Sequence, residues 1–332
     1  MYIRLSGLRL TQINIPAISK RALRLLGAFL CLGFMAACAT PLQTLSLRQN
    51  PPDISLQREL VDTPFFPQTE YHCGPAALAT VMQYFNVPVI PDELAPMIYT
   101  PGLQGALQVE MVAASRRFEM LPVQHDGKFE SLLREIEAGN PVLVLQNLGL
   151  DSYPFWHYAV VVGYDIETQS IVLRSGTIKR LVRSFEVFER TWQRSGYWAL
   201  IIVPPDQVPV TANAKSYLQA VLDLEQTGHV ESANKAYGTA TRHWPDNLLS
   251  YTGLGNTAYR LNNFAMSELA YQQGLTLSPQ SHQLWNNLAY AQARLGKKDA
   301  SMAAISRAIE LAPDNQNYQD SLSELKQLLA IE

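Results

Sequence analysis

The chain has 332 residues, 47% of them hydrophobic and 17% charged, which excludes a disordered, collagen-like or disulfide-dense protein. Its net charge of −3 is unevenly placed, because residues 1–37 hold five basic residues (Arg4, Arg9, Lys20, Arg21, Arg24) and no acid. Taking those five from the total of 26 leaves 21 basic residues against 29 acidic ones, a net −8. An acidic chain of this kind argues against nucleic acid as a partner, since phosphate binding draws on Lys and Arg.

At the N-terminus, Lys20, Arg21 and Arg24 precede an apolar run over 25–37. The run is short of the roughly 20 apolar residues that cross a bilayer. Basic region, apolar core and small residues are the layout of a secretory signal. The end, Met35-Ala36-Ala37-Cys38, resembles the bacterial lipoprotein signal. The resemblance implies cleavage before Cys38, a lipid on Cys38 and a membrane partner. With Ala39 rather than Asp next, it points to the outer membrane, facing the periplasm. Residues 38–57 read as a tether.

Of three cysteines, Cys31 leaves with the signal and Cys38 carries lipid, so the mature chain keeps one thiol, Cys73. One thiol forms no intramolecular disulfide. From Pro75 the apolar residues Ala77, Leu78, Val81, Met82 and Phe85 recur at helical spacing, and Pro75 suits a first turn. Cys73 is therefore expected at a helix N-terminus, where the dipole lowers a thiol's pKa and backbone N–H groups can receive an oxyanion. Gln68, five residues upstream, offers a further donor. Among six histidines, His229, His243 and His282 fall in a repeat region, and His72 is adjacent to the thiol, a spacing that rarely lets two side chains meet. His125 precedes an Asp-Gly turn and stays a candidate. His157 opens the β-rich run His157-Tyr158-Ala159-Val160-Val161-Val162-Gly163-Tyr164-Asp165, at the mouth of a buried strand.

Gln68, Cys73-Gly74-Pro75-Ala76-Ala77-Leu78 and the His157 strand together resemble papain-like cysteine peptidases of the double-glycine, bacteriocin-processing type, over about residues 60–203. The resemblance implies an α+β papain-like domain, with Cys73 as nucleophile, His157 as general base and Gln68 as oxyanion donor. Two departures stand out. Gln68 is one residue closer to the Cys than in most relatives, and the strand after the His strand, Ile171-Val172-Leu173-Arg174-Ser175-Gly176, lacks the usual Asp. Asp165 lies eight extended residues from His157, about 26 Å away. Ser175 or Asn147, or the backbone, is left to orient the imidazole. Further along, 106–117 and 128–138 read as helices. Strands are expected over 142–146, 157–164, 171–173 and 197–203, with a Gly-bearing loop at 101–105.

After a linker beginning Pro204-Pro205-Asp206, landmarks recur every 34 residues: Pro245, Pro279, Pro313; Tyr217, Tyr251, Trp285; Ala220, Leu254, Leu288; and the turn series Gly228, Asn262, Gly296. These offsets resemble the tetratricopeptide repeat. Residues 214–332 thus read as three repeats with a capping helix over 316–330, an all-α solenoid offering a groove to a protein partner. The organisation expected is signal (1–37), tether (38–57), papain-like domain (58–205) and repeats (214–332). Metal-ligand spacing and Gly-rich phosphate loops are both missing, so no metal and no cofactor are expected. The function expected is a lipid-anchored envelope peptidase acting on a protein or peptide substrate. A non-enzymatic lipoprotein adaptor and a thiol acyltransferase or amidase are the alternatives.

Overall fold

The computed structural model describes residues 40–68, 72–100, 102 and 105–330. The signal and Cys38 lie outside the described residues, as does most of the 101–105 loop. In chain order the first elements are α1 (Leu42–Gln49), β1 (Gln57–Glu59), α2 (Cys73–Tyr84), α3 (Pro91–Ile98), β2 (Tyr99–Thr100), β3 (Gly105–Ala106) and α4 (Gln108–Arg117). There follow β4 (Leu121–Gln124), α5 (Phe129–Glu137), β5 (Val142–Asn147), β6 (Trp156–Asp165), β7 (Ser170–Ser175), β8 (Ile178–Ser184), α6 (Phe185–Gln193) and β9 (Ala199–Val203). Seven more helices complete the chain: α7 (Ala214–Gln226), α8 (Val230–His243), α9 (Leu248–Arg260), α10 (Phe264–Leu277), α11 (His282–Arg294), α12 (Lys298–Leu311) and α13 (Gln316–Leu328).

The main sheet is antiparallel, in the order β4-β9-β5-β6-β7-β8, with β1 added to the far end of β6. Every residue of β5 and β9 is buried, so the sheet's centre is covered on both faces. That explains why these strands read as continuous apolar runs rather than alternating ones. Helix α2, buried from Gly74 to Met82, fills part of that cover. Helices α5 and α6 fill another part through a ring cluster, Phe129 with Phe185, Phe188 and Trp192. Both turns that flank His157, β5–β6 and β7–β8, fall at the same end of the sheet, because neighbouring strands run antiparallel. Residues 178–184 and 185–193 form a strand and a helix that the apolar pattern alone does not reveal, since β8 is almost wholly exposed.

Part of the segment expected as a tether is folded. Helix α1 buries Thr44 and Leu47. The backbone N–H groups of Gln43 and Thr44, and the Thr44 hydroxyl, donate to the buried Glu189 carboxylate on α6. Composition misleads here because α1 carries few apolar residues, and its attachment is a buried carboxylate met by donors rather than an apolar face.

The repeats form antiparallel helix pairs. Gly228, Asn262 and Gly296 all adopt positive φ at the turns between paired helices. Asn213, Asn247, Ser281 and Asn315, again 34 apart, cap α7, α9, α11 and α13 through side-chain oxygens. Gly255 lies so close to the Tyr271 ring that no side chain fits there, which is how the small columns let paired helices approach. The first repeat is not a separate body. Tyr217, Val221, Leu224, Ala233, Ala236 and Ala240 belong to the same hydrophobic core as β4, β5 and β9, whereas the last repeats close a core of their own. Polar contacts reinforce the joint: Arg116 with Asp223, Ser232 to Glu119, and the Thr211 N–H to buried Glu135 at 2.7 Å.

Candidate active site

Cys73 is the first residue of α2, as its helical spacing and Pro75 predict. Helix ends leave backbone N–H groups without intrahelical partners. Here His72 supplies no side-chain cap and Pro75 has no N–H, so the N–H groups of Cys73 and Gly74 face the sulfur, joined by that of Tyr158 on β6. Gly74 allows the approach: a Cβ there would stand 2.6 Å from Ala106 Cβ. The Tyr158 hydroxyl donates to the Ala106 carbonyl at 3.2 Å, fixing β3 beside the thiol.

The contact with Tyr158 places the thiol against the strand residue next to His157. The His157 Nε2 meets Ser175 Oγ at 2.8 Å, which leaves Nδ1 as the nitrogen for a proton from sulfur. Of the two side chains considered as orienters, Ser175 is the one that meets the imidazole. Asn147 instead organises the β5–β6 turn, accepting from Gly149 N and Phe155 N and donating to Leu150 O. Gln68 is half-buried, and its backbone N–H donates to Gly176 O at 3.0 Å, one residue from Ser175. Gln68, Ser175, His157 and Cys73 therefore converge at one end of the sheet.

Burial sets the charge state. It pushes the Cys73 thiol up, outweighing the three N–H groups that favour thiolate. It pushes the His157 imidazole down. Both shifts favour the neutral pair: the helix-end N–H groups do lower this thiol, but burial outweighs them, contrary to the expectation from the dipole alone. Three backbone donors at the sulfur are an arrangement that can stabilise negative charge developing there.

The remaining histidines lie elsewhere. His72 stacks on Tyr99, with ring centroids 6.0 Å apart. His125 is buried beside Trp192, three strands from β6, accepts from Gly127 N at Nδ1, and is pushed down to about 4 by burial. His282 bonds the Tyr318 hydroxyl. Sequence reasoning missed Arg174, buried next to Ser175, which donates to the carbonyls of Val61, Thr63 and Lys179 and ties the strand leading to Gln68 onto β7. Its signal was one charge inside an apolar strand. Arg194 was missed as well; it donates to Asn147 O and Gly149 O and holds the turn before His157.

A thiol at a helix end, facing a histidine strand on an antiparallel sheet and followed by paired-helix repeats, defines a cysteine-peptidase-like fold joined to a helical solenoid. Residues 60–200 match the model of the Peptidase_C39 like family, and 218–282 and 252–316 match the tetratricopeptide repeat. The chain carries a C39-like peptidase domain followed by tetratricopeptide repeats. Among solved structures it is similar to a C39-like peptidase from Bacillus anthracis, at 19% identity and TM-score 0.38, covering 45% of this chain and 98% of that one. It is also similar to the first repeat domain of Spaghetti (RPAP3) bound to an HSP90 peptide, at 20% identity and TM-score 0.34, covering 36% of this chain and 98% of that one. MamA matches at 16% identity and TM-score 0.34, over 37% of this chain and 71% of its own. No curated protein matches the chain.

Proposed function

We propose that the protein is a cysteine peptidase that hydrolyses peptide bonds in a protein substrate, held at the bacterial cell envelope by lipid on Cys38. What supports this reading is the place of Cys73 at the start of α2, against the backbone of Tyr158, the strand residue next to a His157 whose Nε2 meets Ser175. In the reaction, His157 Nδ1 takes the thiol proton as sulfur attacks the carbonyl carbon. The oxyanion is received by the Cys73 N–H and the Gln68 amide, and the imidazolium then protonates the leaving amine. Water hydrolyses the thioester by the same route in reverse. The repeats recruit the substrate or a protein partner along their groove.

The same thiol and imidazole serve acyl transfer or amide hydrolysis, since the first half-reaction is shared. One observation favours a passive binding domain: a neutral hydroxyl stands where a carboxylate would hold an imidazolium. The test is turnover of peptide libraries and of envelope proteins by the purified chain, beside Cys73→Ala. Cleavage abolished by Cys73→Ala supports the peptidase. Transfer to an added amine without hydrolysis moves the reading to acyltransferase. A Cys73→Ala strain with an intact phenotype, where repeat deletion has a strong one, makes it an adaptor. Intact mass of membrane-extracted protein tests the anchor, and an unmodified Cys38 removes it.

A further inference from the structure

The tip of the β5–β6 hairpin is unusual for a surface turn. Leu148, Leu150, Tyr153, Phe155 and Trp156 are 46%, 66%, 84%, 62% and 51% exposed, so five large apolar side chains face solvent within nine residues. Exposed apolar patches of this kind mark interaction surfaces. The tip is nevertheless tightly built. Leu150 and Tyr153 exchange backbone hydrogen bonds at 3.1 Å, Asn147 Oδ1 accepts from Gly149 and Phe155, and Arg194 donates to Gly149 O at 2.7 Å. A Cβ on Gly149 would stand 2.9 Å from Phe155 N, so only glycine closes this turn. On the neighbouring hairpin Ile178, paired with Ser175, is also exposed. A substrate subsite would have half-enclosed walls, whereas these side chains project outward.

The entry point of the chain says what covers them. Glu189 and Arg194 lie on and at the end of the same helix α6, about 7.5 Å apart along its axis. Glu189 holds Gln43 and Thr44, where the chain enters the domain, and Arg194 holds the hairpin. From Cys38 to Gln43 is five residue steps along the chain, a reach of at most about 18 Å. We propose that the hairpin tip 148–156 is a bilayer-contacting wedge that sets the Cys73–His157 site at the lipid surface, a reading that rests on lipid anchoring at Cys38. Leu150 and Phe155 enter the acyl boundary, and Tyr153 and Trp156 sit at headgroup level, where aromatic side chains with a polar atom are favoured.

The test uses the full chain, as the cell matures it, on vesicles of phosphatidylethanolamine and phosphatidylglycerol containing phosphatidylcholine with brominated acyl chains. The Trp156 emission is the difference between the native chain and Trp156→Phe. Bromolipid should quench that difference by about half or more, as for an interfacial tryptophan. Leu150→Ser with Phe155→Ser, both at exposed positions, should remove the quenching while leaving the fold intact. An emission that bromolipid leaves untouched and acrylamide quenches as in water overturns the proposal. So does a raised KM for soluble peptides in the double variant with bromolipid quenching unchanged, which would make the tip a substrate subsite. The readout needs no activity. Intact mass of the same preparation reports the lipid on Cys38, so an unlipidated chain (failure of the anchor) and a lipidated chain that bromolipid does not quench (failure of the wedge) are told apart.

Discussion

Varying pH is the most discriminating perturbation of the Cys73–His157 pair, because burial moves the two groups in opposite directions. A thiol at its ordinary pKa of about 8.5 is only about 3% ionised at pH 7. Cys73 is pushed above its ordinary value, so its thiolate fraction at pH 7 is smaller still. His157 is pushed below its ordinary value, so it is neutral at pH 7 and no imidazolium stabilises a resting thiolate. Alkylation by iodoacetamide, which follows the thiolate, should be slow at pH 7 and rise about tenfold per pH unit towards the thiol's own pKa. Turnover should behave differently. It needs the neutral base, and because His157 is pushed below its ordinary value, kcat/KM should hold level from pH 8 down to about pH 6.5 and fall only at more acid pH. The assay is stopped-flow alkylation of the native chain from pH 5 to 10, beside kcat/KM over the same range. A fast alkylation plateau between pH 5 and 7, abolished by His157→Ala, would refute the reasoning, because it reports a preformed thiolate–imidazolium pair. The three N–H groups around the sulfur would then outweigh burial.

Other expectations follow from the same geometry. Ser175→Ala should lower kcat about fivefold with KM unchanged, the cost of one neutral hydrogen bond that sets the imidazole tautomer, and Ser175→Asp should raise alkylation at pH 7 by stabilising imidazolium. His125, with a folded pKa of about 4 against an ordinary 6.5, makes stability fully present above about pH 6.5 and lost as pH falls towards 4. Urea unfolding at pH 7 and 4.5 should differ by on the order of 2–3 kcal/mol for this group, and His125→Gln should flatten the difference. Gly74→Ala should cost about 1–3 kcal/mol by thermal unfolding and displace β3 from the thiol, because Ala106 stands in the way. Ending the chain after Trp244 should leave peptide turnover unchanged and raise KM for a protein substrate, whereas ending it after Pro205 should unfold or aggregate the domain by uncovering the shared core.

The parts of the molecule that were legible in sequence carry strong local signals. Helix α2 shows spaced apolar residues and Pro75, β5, β6 and β9 are apolar runs, and the repeats show columns of small and aromatic residues. The candidate residues stand out in the sequence because the Cys end of one element and the His end of another are both marked by polar residues at the edge of apolar ones. What was not legible depends on partners distant in sequence. Helix α1 is held by a carboxylate more than a hundred residues on, and β8 is an exposed edge whose pairing with β7 no periodicity announces. Ser175 stayed level with Asn147 until register decided, since only pairing across β6 and β7 says which reaches Nε2. The direction of the thiol's shift was misjudged for a related reason. Helix position is written in the sequence, whereas the cover that β3 and Tyr158 place over the sulfur is not.

On the proposed reading as a peptidase, the joint between domain and repeats bears on how a substrate would be selected. A solenoid on a flexible linker raises local concentration and leaves orientation free. Here the linker is pinned, with Thr211 on buried Glu135 and Lys235 on Asp206, and the first repeat shares the domain's core. A protein bound along the repeats is then presented to Cys73 in a fixed direction and at a fixed reach. Selection by such a device rests on the spacing between the bound segment and the scissile bond, more than on the residues flanking the bond. It follows that a substrate whose two segments are moved apart by inserted residues should lose cleavage while keeping its affinity for the repeats, whereas a flexibly linked groove would tolerate the insertion.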